Sequence, residues 1–185
     1  MRFYRLAVLI CLFAQVSAPV VLTGTWLNLT AGTQAKERTQ LQRQAPVGMQ
    51  DQPAPDFVLR DLDNREVRLS ELRGKVVLLD FWATWCEPCR AAFPMIELLH
   101  RSYKEKGLVV LGIDNEPPQK AREFLKQYGY LTPSLVDANS DAAIKYRVGS
   151  IPTTVLIDRE GKVAFYEAGF SYEQLRVALR LVGIW

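Results

Sequence analysis

Two cysteines with two residues between them, Cys86 and Cys89, are the residues of this 185-residue chain whose type and spacing point to chemistry. They follow an apolar run, residues 76–82, that is interrupted by a single acid, Asp80. Val76, Val77, Leu78, Leu79, Phe81 and Trp82 show no alternation, which is the pattern of a strand covered on both faces in an α/β sheet. A carboxylate inside such a strand costs on the order of several kcal/mol unless it is paired, protonated or used. Dithiol–disulfide exchange supplies a use. The thiolate is the nucleophile in that exchange, and a cysteine at a strand-to-helix junction meets the partial positive charge and free N–H groups of the helix N-terminus. Cys86 is therefore expected to attack a partner disulfide, and Cys89, one turn further on, to resolve the mixed disulfide and release the partner. Asp80, on the strand beneath, is the acid placed to accept the Cys89 proton directly or through water, and burial should raise its pKa toward the useful range.

The residues around the pair tune it. Pro88 suits the first helical turn, where its missing N–H leaves nothing unsatisfied. Glu87 sets a negative charge near the Cys86 thiolate, opposing the helix-end effect, so the pair should be more reducing than one with a basic residue between its cysteines. Glu87→Gln is accordingly expected to raise the reduction potential measured against a glutathione buffer; an unchanged or lower potential would refute this role. Trp85, beside Cys86, serves either the core or an exposed apolar surface for partner docking. Trp82 reads as core and His100 as a solvated helix residue.

Composition narrows the alternatives. Residues 53–185 carry 18 Lys plus Arg against 18 Asp plus Glu, and the net charge of +3 arises in residues 1–52, so the folded part has no basic face for nucleic acid. The third cysteine, Cys11, lies in an apolar N-terminal segment. Two cysteines and one histidine do not complete a zinc site, and no metal or separate cofactor is expected beyond the redox-active Cys86–Cys89 pair.

The elements that must position this chemistry can be taken in order. Arg2 and Arg5 precede an uncharged apolar run, residues 6–29, about long enough to span a bilayer. Residues 1–29 read as an uncleaved membrane anchor, with a signal segment cleaved after Ala18 as the competing reading. The flanking charges lean toward a cytoplasmic N-terminus, which places the remainder outside the cytoplasmic membrane. Residues 30–52, rich in Gln, Thr and Ala, read as a flexible tether, an amphipathic helix over 35–44 being the alternative. Residues 53–185 form the folded domain. A hairpin of 57–59 and 66–69 and a capped helical turn at 70–74 lead into the apolar strand. A helix over 91–106, carrying Phe93, Ile96, Leu98, Leu99 and Tyr103 on its apolar face and kinked at Pro94, follows the cysteines. A strand at 108–113, a helix at 117–128 with Tyr128 on its inner face, a short strand and helix at 134–137 and 142–146, a hairpin of 153–157 and 163–167, and a last helix capped by Ser171 complete the domain. The fold class is α/β, a mixed central sheet with helices on both faces and an N-terminal hairpin.

Residues 53–185 resemble the thioredoxin superfamily, in particular its TlpA/ResA-like membrane-anchored thiol-disulfide oxidoreductases, which are grouped with the AhpC/TSA proteins. The resemblance rests on Ala54-Pro55-Asp56-Phe57, on Phe81-Trp82-Ala83-Thr84-Trp85-Cys86-Glu87-Pro88-Cys89, on Pro94 and on Gly149-Ser150-Ile151-Pro152-Thr153-Thr154. It implies a thioredoxin-like fold, a cis peptide at Ile151-Pro152 beside the cysteine pair, and a substrate strand bound along the Ile151 backbone. It also implies an enzyme acting on disulfide-containing protein substrates outside the cytoplasm, re-reduced by an upstream membrane thiol donor, with apocytochrome c cysteines as one target. Two positions depart from ResA-like members: Ala92 stands where those carry a glutamate, and Asp80 where they carry an uncharged residue. Ala83, in place of the Thr or Ser that a peroxidatic cysteine requires, argues against peroxidase activity. A dithiol oxidant and a partner-binding module indifferent to redox remain as alternatives to the reductant.

Overall fold

A computed structural model describes residues 49–185. The proposed anchor, residues 1–29, and most of the proposed tether lie outside the described residues. Among the described residues, no helix is long and apolar enough to cross a membrane. Packing against the sheet is already in place ahead of Pro53. Met49 is buried, the Asp51 N–H donates to the Val163 carbonyl, and the Val163 N–H donates to that of Gln52.

Seven strands form one mixed sheet: β1 (Val58–Asp61), β2 (Glu66–Arg68), β3 (Val76–Phe81), β4 (Leu108–Asp114), β5 (Ser134–Val136), β6 (Thr153–Ile157) and β7 (Val163–Ala168), in the order β2-β1-β5-β4-β3-β6-β7. The apolar run 76–82 lies inside the sheet, with both edges of β3 paired. β3 lies parallel to β4 and antiparallel to β6, and every one of its residues is buried. The N-terminal hairpin joins this sheet through β1 and β5, a pairing that local turn chemistry could not disclose.

Among the described residues, four α-helices cover the faces: α1 (Glu87–Tyr103), α2 (Pro118–Tyr128), α3 (Asp141–Lys145) and α4 (Tyr172–Leu181). Strand alternation sends Val76 and Leu78 to one face, where they pack with Ile96 and Leu99 of α1 and Leu175 and Leu179 of α4. Val77, Leu79 and Phe81 face the other way, against Tyr146 at the end of α3, Phe57 and Leu69. Trp82 extends the first face toward α2, with its ring centroid 4.6 Å from Phe93 and 5.1 Å from Phe124. Such aromatic pairs contribute about 0.5–1.5 kcal/mol each beyond their burial. Gly112 on β4 makes room for this indole: a Cβ there would stand 2.8 Å from Trp82 Nε1. The same indole N–H reaches Ser134 Oγ at 3.4 Å.

Several local expectations are corrected. The first helix begins at Glu87 rather than at 91, because Cys86 itself serves as its N-cap. It closes at Tyr103 into a 3₁₀ turn over Lys104–Lys106, with Gly107 left-handed at φ 90°. Leu98 and Tyr128, expected on apolar faces, are exposed, while Glu97 is buried and His100, expected in solvent, is half-buried. The turn after β2 is 3₁₀, Leu69–Leu72, and it lacks a cap of its own. Asp56 holds it from a distance in sequence, accepting from the Ser70 N–H and Oγ at 2.9 Å each.

Candidate active site

Cys86 and Cys89 are joined as a disulfide at the N-terminus of α1, with Cα atoms 5.2 Å apart. Cys86 is in extended conformation, and its sulfur accepts the Cys89 N–H at 3.2 Å. A free donor of the helix end is thus aimed at the sulfur that would carry charge in the reduced form. Cys89 is the deeper of the two, 1% exposed against 4%. It packs in a cluster with Trp82, Ala83 and Phe93. Pro88 occupies the first helical turn and Glu87 opens the helix on the solvent side.

The loop into Cys86 is held by Glu116, two residues past the end of β4. The Glu116 carboxylate accepts the Thr84 N–H at 2.6 Å and the Thr84 hydroxyl at 3.0 Å. Its own N–H donates to Asp114 Oδ1 at 2.5 Å. Asp114 is buried, and burial pushes its carboxyl up to about 6, with the Glu116 amide working against the rise and the Glu116 charge adding to it.

Asp80 is 1% exposed, its Oδ1 has no hydrogen-bond partner, and burial pushes its carboxyl up to about 7. Alternation along β3 puts it on the same face as Leu78 and Trp82, beneath α1 and Cys89. A carboxyl raised to about 7 by burial, on the face of the sheet that carries Cys89, is equipped to take and return one proton. Ala92, where a ResA-like glutamate would stand, is buried on α1.

Glu97 on α1 is another buried acid, one that the helix pattern alone did not bring out. Glu97 Oε2 accepts the N–H groups of Leu131 and Thr132, at 2.9 Å each, and the Thr132 hydroxyl at 2.7 Å, while Arg101 pairs with Oε1. Burial works upward on this carboxyl, but the Thr132 hydroxyl, Arg101 and the two amides outweigh it and hold its pKa below the usual value. The signal was present in the sequence, since Glu97 falls on the inward side between Phe93, Ile96 and Leu99. Its contacts are those of a structural clip between α1 and the segment leading to β5.

The other wall of the site is the loop before β6. The Ile151-Pro152 peptide is cis. Ile151 packs against the cluster that contains both cysteines, and the Pro152 carbonyl accepts the Gly169 N–H at 2.7 Å. Trp85 is 70% exposed, which removes it from the core. It borders a groove of about 550 Å³ that continues over Glu87, Arg90 and Pro94 to Phe124, Tyr128 and Tyr130.

Known proteins resemble this chain in sequence and fold. The model of the AhpC/TSA family matches residues 51–166. The thiol-disulfide oxidoreductase ResA of Geobacillus thermodenitrificans (strain NG80-2) is 42% identical over 111 residues, which make up 60% of this chain and 64% of that protein. The chain therefore spans somewhat under two thirds of the length of that relative. ResA of Bacillus subtilis (strain 168) is 37% identical over 123 residues, 66% of this chain and 69% of that one. Among solved structures, the exposed lipoprotein thioredoxin of Streptococcus pneumoniae strain TIGR4 matches with a TM-score of 0.60 at 30% identity, covering 68% of this chain and 99% of that chain. The fold is thioredoxin-like, and the chain belongs to the AhpC/TSA family as a ResA-like protein of the thioredoxin superfamily.

Proposed function

We propose that this chain is a thiol-disulfide oxidoreductase that reduces disulfides in partner proteins outside the cytoplasm. The observation that carries the reading is the Cys86–Cys89 disulfide at a helix N-terminus above a buried, unpaired Asp80. In the reduced form, the Cys86 thiolate attacks one sulfur of a partner disulfide, and the other partner sulfur leaves as a thiolate that takes a proton from solvent. Cys89 gives its proton to Asp80 and attacks Cys86 Sγ. The Cys86–Cys89 disulfide forms, and the first partner sulfur leaves reduced. Trp85, Ile151 and Pro152 flank Cys86 and contact the partner segment, Ile151 through its backbone and Trp85 through its exposed ring.

The names of the relatives support this activity, and that of the pneumococcal protein, an exposed lipoprotein, supports a site outside the cytoplasm. The uncharged run of residues 6–29 supports a membrane anchor, and the need to re-reduce the pair after each cycle implies an upstream membrane thiol donor. Apocytochrome c cysteines are one target class for such a reductant. The full chain is expected to catalyse reduction of insulin disulfides by dithiothreitol, and Cys86→Ser to bring the rate down to that of dithiothreitol alone. A Cys86→Ser chain as active as the parent would sink the reading.

A further inference from the structure

A row of residues crosses the sheet next to the cysteine pair. Strand register sets Asp80 on β3 opposite Thr154 on β6, and Thr154 opposite Glu167 on β7. All three fall on the face covered by α1 and α4. Leu78, Leu156 and Phe165, each two residues along its strand from a member of the row, pack there with Ile96 and Leu175. On the far side of Asp80 the register partner is Gly112, which has no side chain, so the row has one open direction.

Its inner members are buried without being satisfied. Thr154 is 0% exposed, and Thr154 Oγ1, like Asp80 Oδ1, has no hydrogen-bond partner. Buried polar atoms left so cost on the order of 1–3 kcal/mol each, and two of them in adjacent register positions point to a use. The outer member, Glu167, is half-buried, and its Oε2 accepts the N–H of Ser171, the residue that caps α4, at 3.0 Å. The Gly169 N–H bonded to Pro152 ties this end to the cis-proline loop. Burial raises both carboxyls, the Ser171 amide opposing the rise at Glu167, and no charged side chain contributes to either. On the same side of the sheet α1 carries Cys89, packed with Trp82 and held here in the disulfide with Cys86.

Resting on the reading of Asp80 as acceptor of the Cys89 proton, we propose that Thr154 and Glu167 form a proton relay across the sheet that connects Asp80 with solvent. Side chains directly opposite on neighbouring strands have Cβ atoms about 4.5–5.5 Å apart, so rotation of the Thr154 hydroxyl, with at most one bridging water per gap, closes each step. When Cys89 attacks, its proton passes to Asp80. The protonated carboxyl then donates to Thr154 Oγ1, whose own proton moves on to the Glu167 carboxylate and from there to water. No proton is gained or lost overall, and Asp80 is returned to the carboxylate for the next cycle.

The test follows Asp80 in the oxidised full chain, where no turnover is needed. Trp82, on the same face two residues along β3, reports the Asp80 charge by its fluorescence after a stopped-flow jump from pH 5 to pH 9. Asp80→Asn identifies the phase by removing it. Without a relay, Asp80 loses its proton by a route that Thr154 and Glu167 do not carry, such as opening of the core to water on a microsecond-to-second scale, and neither substitution changes the phase. Thr154→Val and Glu167→Gln are each expected to slow the phase about tenfold or more, and the double variant no further than the slower single one. Thr154→Ser, which keeps the hydroxyl, should relax like the parent and guards against misfolding as the cause. A phase of parental rate in either Thr154→Val or Glu167→Gln, or a Thr154→Ser as slow as Thr154→Val, would overturn the relay. A relay that passes these measurements in a chain that fails to reduce insulin would leave the relay standing and remove the redox reading.

Discussion

Replacing Cys89 with serine is expected to leave a chain that attacks a partner disulfide once and stays attached to it. Cys86 keeps its place at the helix end, where the residue-89 N–H still points at its sulfur, so the first attack survives. The second does not, because the group one turn away no longer carries a sulfur. External thiol replaces it poorly: well-oriented intramolecular groups reach effective molarities of about 10⁵ M or more, against millimolar reductant in solution. Turnover with insulin should fall by at least about 10³-fold, and non-reducing electrophoresis should show a covalent adduct that dithiothreitol dissolves. The assignment of roles would be wrong if the adduct accumulated with Cys86→Ser and not with Cys89→Ser. The difference in depth between the two cysteines, and the exposed Trp85 next to Cys86, decide the expected direction.

The second large effect belongs to Asp80. Its carboxyl is raised in the folded chain, from an ordinary 3.8 to about 7, by burial. Below pH 3.8 it is protonated whether the chain is folded or not, and it costs the fold nothing electrostatically. As pH rises from there, the unfolded chain releases the proton first, so stability falls until the folded carboxyl has also ionised, above about pH 7. The span from 3.8 to about 7 corresponds to roughly 4 kcal/mol of destabilisation at alkaline pH. Asp80→Asn is therefore expected to stabilise the oxidised protein against urea by up to about 4 kcal/mol at pH 8.5 and to have little effect near pH 4. The same variant should slow resolution of the mixed disulfide by on the order of 10²-fold, the usual worth of a positioned base. Equal urea midpoints for parent and variant at pH 8.5 would show that Asp80 has an unseen stabilising partner. A residue that lowers stability where the chain is proposed to work, on the face of the sheet that carries Cys89, is what a functional rather than a structural acid looks like.

Some features were legible because they break a rule locally. Asp80 in a run of buried apolar residues, and two cysteines at the end of that run, stand out without any knowledge of what surrounds them. Burial of β3 on both faces, the parallel pairing implied by strand, helix and strand in series, and the Ser171 cap of α4 are likewise consequences of short-range pattern. Glu97 obeyed the same logic and was passed over, although an acid between Phe93 and Leu99 on one helix face is the helical counterpart of Asp80. The cis peptide at Ile151-Pro152 came only from family resemblance, since base rates for an X-Pro bond point the other way.

The remainder depended on partners distant in the chain. Thr84 and Glu116 are 32 residues apart, and nothing near either predicts that one carboxylate takes both donors of the other. Thr154 lies in a strand whose residues are all buried, and only register sets its hydroxyl against Asp80 and Glu167. Trp82 and Trp85 are chemically alike and three residues apart. The first lies buried against Phe93 and Phe124 and the second stands in solvent, a division set by where β3 ends. Residue type and short spacing were enough to single out the cysteine pair and Asp80, the strand and helix that carry them, and the family. Which acids are satisfied, which hydroxyls are orphaned and which aromatic ring faces a partner were decided by tertiary structure, since pairing across a sheet joins residues whose separation in sequence carries no information about their contact.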